Sequence, residues 1–546
     1  MRSDFEFQII WNRLIAVCEE QAQVMIRAAF SPPVRESGDL SAGFFDLKGR
    51  MLAQAVTGTP GHVNCMAASV VHFFEEFPVA SMKEGDSYIT NDPWLGSGHL
   101  NDVTIVTPVF FRGRIVGLFA ATVHIVDLGG RGMGPDGNDV FEEGISIPHM
   151  NIAHEGVVNR DLIRLMRSNS REPLQTEGDI LAILAAGEEG ARRLSEMLEE
   201  FDLDDMTDVG TYILGTTLSA MDKAIRDVPE GTYNHQMSTD GYDTSVEIVV
   251  EMRVSDGRVS LDFAGTSSIS PFGINCPLIY ASAYAFYGIK CVIAPEIPSN
   301  HASLSLFDIS APENSILNPL RPAPVSSRHI IGHFLPDAVM GCLEKAMPGQ
   351  TLAESGMMWN PYLRGETDFQ GEHNHWEIFS LMAAGMGARS SSDGLGATAF
   401  PSALKGMPVE AIETIVPIVI WRKEFRPDSG GAGKYRGGLG QSVEFSAITD
   451  THLNLIAQFD RVDHPAQGRA GGGAGAAGLV HLASGKKLNG KGRQTIPAGD
   501  RLVIDLPGGG GYGDPNERPL SEIAEDVKQE VISATSARRD YPQFEG

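Results

Sequence analysis

Residues 91–130 read NDPWLGSGHLNDVTIVTPVFFRGRIVGLFAATVHIVDLGG, and the way they pair decides both the local fold and where chemistry can sit. Residues 103–111 and 114–124 are nearly continuous apolar runs joined at Arg112-Gly113, the pattern of an antiparallel hairpin buried on both faces. With a two-residue loop, Phe111 faces Arg114 and His124 faces Asn101. His99 then lies on the same face as His124, one diagonal step away, with Cα atoms about 7 to 8 Å apart, close enough for two imidazoles to share an ion. Strict alternation turns Asp102 to the other face; a one-residue bulge or a longer turn brings it directly across from His124. Two neutral imidazoles and one carboxylate leave positions open for a reactant, as a catalytic Zn²⁺, Mn²⁺ or Fe²⁺ site requires. Spacing alone leaves a plainer reading open, in which His99 caps a loop, Asp102 accepts backbone hydrogen bonds and His124 is a satisfied core histidine.

Outward from this stretch, Ser3 and Glu6 have capping-box spacing, and Ile10, Leu14, Val17 and Val24 share one helical face that only Gln21 interrupts. Residues 40–55 and 86–126 read as short strands and loops. Residues 179–202 and 211–226 read as a helical hairpin, and a boundary is expected near 227. There SVEIVVEMRV and RVSLDFAG flank a Ser-Asp-Gly hairpin turn. Residues 280–292 and 329–347 read as further helices, and beyond 394 glycine clusters punctuate short strands before a final helix over 520–536. The expected class is α+β and multidomain, with antiparallel strands and helical insertions in the N-terminal half and a glycine-rich, β-dominated C-terminal region. The expected domains are 1–226 with the metal site and helical hairpin, 227–393 of mixed α/β character, and 394–546.

With 546 residues, 42% of them hydrophobic and 21% charged, the chain has the composition of a folded multidomain protein. Its 70 acidic residues against 43 basic ones give a formal charge of −27, which repels a phosphate backbone and argues against nucleic acid as a partner. Five scattered cysteines without C-x-x-C spacing suggest neither a disulfide framework nor a thiolate zinc site and fit a reducing cytoplasm. No apolar run approaches the about 18 residues of a membrane span, and the N-terminus lacks the pattern of a signal peptide.

Other stretches carry weaker chemistry. GGAGKYRGG (430–438) is not a Walker A loop, because Asp428 and Tyr435 stand where glycine and Ser or Thr are required; its glycines are expected to serve turns. His373 and His375 in GEHNHWE, and Asp463-His464 in DRVDHP, have ligand-type side chains without a third partner nearby, and are expected to be ordinary surface or substrate-contact residues. Cys276 has no identified basic partner and is expected to be buried and inert.

The run N-D-P-x-x-G-x-x-H-L-x-D-V (91–103) resembles a signature of the hydantoinase B and oxoprolinase family. SGDLSAGFFD (37–46), HVNCMA (62–67), NCP (275–277), IPSNHASL (297–304), GGAGKYRGGLG (430–440) and PGGGGYGDP (507–515) resemble further family blocks in the same order, across nearly the whole chain. The family includes subunits of ATP-dependent hydantoinases, 5-oxoprolinases, caprolactamases, and acetone or acetophenone carboxylases. The resemblance implies one divalent ion held by His99, Asp102 and His124. It implies further that ATP and Mg²⁺ are handled by a companion hydantoinase A type subunit, in paired heterodimers. Asp39 in S-x-D-L-S and His62 in GHVNCM are second candidates, as a fourth ligand or a proton shuttle. Asp39 can equally cap a turn and His62 orient a ligand, and GHVNCM departs from the commoner glycine-containing form. The implied function is the metal-binding subunit of an ATP-dependent cyclic-amide hydrolase acting on a lactam, a hydantoin or 5-oxoproline. The alternatives are a ketone carboxylase subunit and, in another class, an assembly subunit whose metal staples the fold.

Overall fold

A computed structural model of the chain describes residues 2–369, 372–448 and 451–545, with the side chains of 367–369 and 372–374, His373 among them, outside the description. The chain divides into two compact units, residues 1–234 with 250–335, and residues 235–249 with 336–546. Mixed helix and antiparallel sheet give the α+β multidomain class that the sequence indicates.

The first unit is organised by a seven-stranded sheet. Its strands are β1 (Leu40–Phe45), β2 (Met51–Gln54), β3 (Ser87–Thr90), β4 (Asp102–Phe111), β5 (Arg114–His124), β6 (Met150–His154) and β7 (Val157–Val158), in the spatial order β2-β1-β5-β4-β3-β6-β7. Every pairing in it is antiparallel. The sheet is covered on both faces, which is why β4 and β5 are apolar almost throughout. Val103, Ile105 and Val109 of β4 and Phe119, Ala121 and Val123 of β5 enter a core shared with helices α1 (Asp4–Ala28) and, later in the chain, Pro173–Glu200. Val106, Leu118 and Ala120 face the other way, onto Val63, Met66, Val70 and Phe73 of the helix Pro60–Glu76. The first helix begins with the expected capping box, Ser3 Oγ accepting from the Glu6 N–H while the Glu6 carboxylate accepts from the Ser3 N–H. Gln21 is buried within it.

The helical hairpin is longer than its sequence pattern, Pro173–Glu200 followed by Thr207–Arg226. The Ser-Asp-Gly turn forms as expected, with Asp256 and Gly257 both at positive φ and Ser255 facing Arg258. A helix over Leu278–Ile293 packs on Pro60–Glu76, and Gly61 permits that approach, since a Cβ there would lie 2.7 Å from the Tyr284 ring and 2.8 Å from that of Tyr280. The stretch 329–347 is not one helix: it divides into His329–Gly332 and Leu335–Ala346.

The second unit holds two four-stranded antiparallel sheets. One is built from Glu372–Phe379, Tyr362–Phe369, Leu453–Gln458 and Lys491–Ile496, the other from Ile418–Phe425, Gln441–Ala447, Leu502–Asp505 and Leu479–Leu482. The glycine clusters differ from the expected turns. Gly431 N–H donates to the Gly509 carbonyl, Gly509 to Gly438, Gly438 to Met386 and Gly511 to Gly473, so extended runs pair backbone to backbone. A Cβ at Gly437 would overlap the Gly509 carbonyl oxygen. Close approach of chains, more than left-handed φ, explains glycine there. The final helical pattern is broken into Leu520–Lys528 and Ala534–Asp540, with Glu530 at positive φ between them and Ser533 capping the second piece. All five cysteines are free. Among the described residues no helix is long and apolar enough to cross a membrane.

Candidate metal centre

The β4–β5 hairpin closes through Arg112 and Gly113, both at positive φ, and Phe111 faces Arg114 as a two-residue turn requires. A register shift between Val109 and Phe110 then displaces every later pair by one residue, so Asp102, not Asn101, stands opposite His124. The strict register is thereby corrected by the bulge that it left room for. Asp102 and His124 share the sheet face that carries Thr104 and Thr122, whose hydroxyls meet at 2.8 Å. His99, three residues before Asp102, reaches the same place. All three side chains are buried, and the candidate ligand atoms lie within 4.8 Å of one another.

The two oxygens of Asp102 have separate surroundings. Oδ2 accepts from Ser97 Oγ at 2.8 Å, faces His62 Nε2 at 2.8 Å and forms a buried ion pair with Arg328. Oδ1 lies 2.7 Å from His99 Nε2 and accepts a hydrogen bond from His124 Nδ1 at 3.1 Å. Burial works against the carboxylate, but His62, His99, Arg328 and His124 outweigh it and hold its pKa well below the usual range. Arg328 is fixed in turn by the Ser97 carbonyl, 2.6 Å from its Nε, and by the Tyr280 ring, 3.9 Å from its Cζ.

The donor set fits a divalent cation. A carbonyl oxygen can only accept, so the 2.9 Å contact between His99 Nδ1 and the Ser326 carbonyl places the proton on Nδ1 and leaves a lone pair on Nε2. Burial and Arg328 push the His99 pKa down to about 4, so the ring is neutral at pH 7. Nε2 is buried and forms no hydrogen bond among the described residues, although Asp102 Oδ1 is only 2.7 Å away. An imidazole lone pair and a carboxylate oxygen brought this close have the disposition of ligands facing a shared cation.

Asp39 and His62 arrive from separate elements. Asp39 precedes β1, and its carbonyl accepts the His124 N–H at 3.2 Å; His62 lies in the first turn of Pro60–Glu76. The His62 ring spans two carboxylates, Nε2 at 2.8 Å from Asp102 and Nδ1 at 3.5 Å from Asp39. Burial disfavours its charged form, yet Asp102 and Asp39 together raise its pKa above the usual histidine range. Ser97, Tyr280 and Arg328 are participants that motif reading passed over. The signal for Arg328 was the stretch SSRHIIGH (326–333), which places an arginine and two histidines in an otherwise apolar run. His464 instead pairs with Asp240 at 2.9 Å in the second unit, and His375 faces Glu366 at 3.4 Å on the surface. Cys276 is buried, and burial pushes its thiol up to about 12.

Comparisons with known proteins show the family and the fold. The family model described as hydantoinase B/oxoprolinase matches residues 3–515. An uncharacterized protein of Methanocaldococcus jannaschii is 32% identical over 98% of this chain and 95% of its own length. A putative D-/L-hydantoinase component of the B type from a Pseudomonas species is 27% identical over 98% of this chain and 94% of its own. The crystal structure of the ATP-dependent caprolactamase from Pseudomonas jessenii superposes with a TM-score of 0.87 and 25% identity, over 99% of this chain and 96% of that one. A nucleotide-free acetone carboxylase structure shares the fold, with a TM-score of 0.86 and 19% identity over 99% of this chain and 79% of that one. The chain belongs to the hydantoinase B/oxoprolinase family.

Proposed function

We propose that this chain is the metal-binding subunit of an ATP-dependent cyclic-amide hydrolase that opens a lactam, hydantoin or 5-oxoproline ring together with an ATP-binding subunit of the hydantoinase A type. The observation that carries the reading is the convergence of His99, Asp102 and His124 side chains in a buried cluster whose candidate ligand atoms lie within 4.8 Å of one another, with His99 Nε2 lacking any hydrogen bond among the described residues. A Zn²⁺, Mn²⁺ or Fe²⁺ ion bound there supplies a Lewis acid that polarises oxygen and lowers the pKa of water.

An unstrained cyclic amide is a poor electrophile, so ATP-dependent activation of its oxygen on the partner subunit accounts for the coupling. This chain then contributes placement and proton handling. Asp102 balances the charge of Arg328 through Oδ2 and keeps Oδ1 for the ion. His62 holds a proton on Nδ1 opposite Asp39 and is biased towards the imidazolium, which suits it to donate to a departing ring nitrogen. Asp39, 3.5 Å from Nδ1, is placed to relay a replacement proton to His62 once the ring has given its own to the leaving nitrogen.

Reconstitution with a hydantoinase A type partner tests the assignment. Lactams, hydantoins and 5-oxoproline should each be offered with ATP, in parallel with ketones plus labelled bicarbonate. Ring opening coupled to ATP loss is expected; label fixed in product would replace hydrolysis with carboxylation. H124A should assemble, lose its ion and lose turnover, whereas unchanged turnover in ion-free H124A would reduce the ion to a structural staple.

A further inference from the structure

Glu143 is 4% exposed and takes part in none of the contacts above. It follows the short 3₁₀ turn Val140–Glu142, which Asp139 caps by accepting the Phe141 and Glu142 N–H groups. From there its Oε1 reaches a segment nearly two hundred residues further along the chain, accepting the N–H of Val325 at 2.7 Å and that of Ser326 at 2.9 Å. The same segment is tied at its flanks, where the Pro322 carbonyl accepts from Val140 and the Ser327 N–H donates to the Gly273 carbonyl. Ser326 Oγ also donates to the Gly134 carbonyl at 2.7 Å. This strap carries two groups that act on the centre, the Ser326 carbonyl bound to His99 Nδ1 and the Arg328 guanidinium paired with Asp102.

We infer that Glu143 is a positioning residue for the ion centre: by accepting two consecutive strap N–H groups it sets where the Ser326 carbonyl stands and so aims His99 Nε2. The inference rests on His99 being a ligand. An imidazole ligand needs its second nitrogen held, and loss of such a partner ordinarily weakens ion binding about 10- to 100-fold. Here that partner is a main-chain carbonyl, which no substitution can delete, so its position depends on whatever fixes the strap. Without the Oε1 acceptor, two adjacent buried N–H groups are left unpaired and the strap must shift to satisfy them. Burial raises the Glu143 carboxyl to about 8, against the pull of the Ser326 and Val325 N–H groups, and glutamine keeps an oxygen acceptor of the same reach.

The experiment titrates the purified full chain with Co²⁺, reading the visible ligand-field band, and competes the bound ion with a chelator. Wild type, H124A, E143A, E143M and E143Q are compared. E143M keeps the side-chain volume while removing the acceptor, so it carries the test if E143A does not fold. Expected is a loss of about 10- to 100-fold in Co²⁺ affinity with an altered band for E143M, and affinity within about threefold of wild type for E143Q, whose amide oxygen restores both acceptor bonds. Wild-type affinity in E143M, or an equal loss in E143M and E143Q, overturns the inference while leaving the ion centre standing. Co²⁺ binding that is equally weak in wild type and H124A removes the ion centre itself and the inference with it.

Discussion

Asp102 in the first unit and Asp337 in the second are both fully enclosed and both paired with an arginine, yet their acidities move in opposite directions. Asp102 has Arg328 as its cation and is further surrounded by Ser97, His62, His99 and His124, so its pKa falls well below the usual range in spite of burial. Asp337 accepts from Arg461 at 3.1 Å and from the Ser355 N–H at 3.1 Å, but the same guanidinium also binds Glu354 at 2.8 Å. Burial lifts the Asp337 pKa to about 7, with Glu354 adding to the rise and Arg461 opposing it. The contrast teaches that an arginine beside a buried acid does not by itself define the acid's role. One carboxylate that keeps an oxygen beside an imidazole lone pair can bind a cation, whereas two carboxylates sharing one arginine form an internal clasp.

The sharpest break between the two clusters is expected in turnover. With the reconstituted complex, D102N should lose the ion and at least about 1,000-fold in kcat, since it removes the only anionic ligand, while D337N should stay within about threefold; a matching loss in both variants, with D337N still folded, would abolish the distinction. Next in size is stability. R461M leaves Asp337 and Glu354 without their shared cation and should cost about 3 to 5 kcal/mol in urea unfolding, with ion content unchanged. A stable R461M would mean that the clasp is dispensable.

A smaller effect separates the clusters by pH. The folded pKa of Asp337 is raised from 3.8 to about 7, so the stability linked to its protonation is fully present below about 3.8 and is lost as pH rises towards 7. Melting of the wild type should therefore decline relative to D337N between pH 4 and 7. Asp102, whose pKa is lowered, behaves in reverse: its contribution is present above about 4 and is lost only as pH falls below that. Wild type and D102N should thus converge in acid, and parallel pH profiles for the two pairs would contradict the assignments. Smallest of all is C276A, expected to keep kcat within about twofold because a buried thiol with a pKa raised to about 12 supplies no nucleophile at neutral pH.

Local physics made parts of this molecule legible in advance. Ser3 and Glu6 announced their helix because a capping box is a short-range hydrogen-bond pattern, and Asp256-Gly257 announced their turn because both need positive φ. The apolar runs of β4 and β5 revealed a sheet covered on both faces. His99, Asp102 and His124 stood out as a group, but their register turned on a bulge near Val109 that alternation cannot foresee. Glu143, Ser326 and Tyr280 were beyond reach for a different reason: their partners are set by tertiary approach between segments that share no local pattern, and the same holds for the partner of Arg328, though SSRHIIGH marks that arginine itself. The glycine clusters misled because glycine serves turns and close backbone approach equally well, and only the pairing of Gly431, Gly438 and Gly509 tells which applies.

The most direct test of the ion centre is anomalous diffraction from crystals of the full chain at the absorption edge of the metal it retains on purification. The expected result is one strong peak about 2.0 to 2.2 Å from His99 Nε2, an Asp102 carboxylate oxygen and one ring nitrogen of His124, with a coordination position free of protein atoms. A metal-loaded crystal whose peak lies elsewhere, or in which those three side chains diverge, would contradict it.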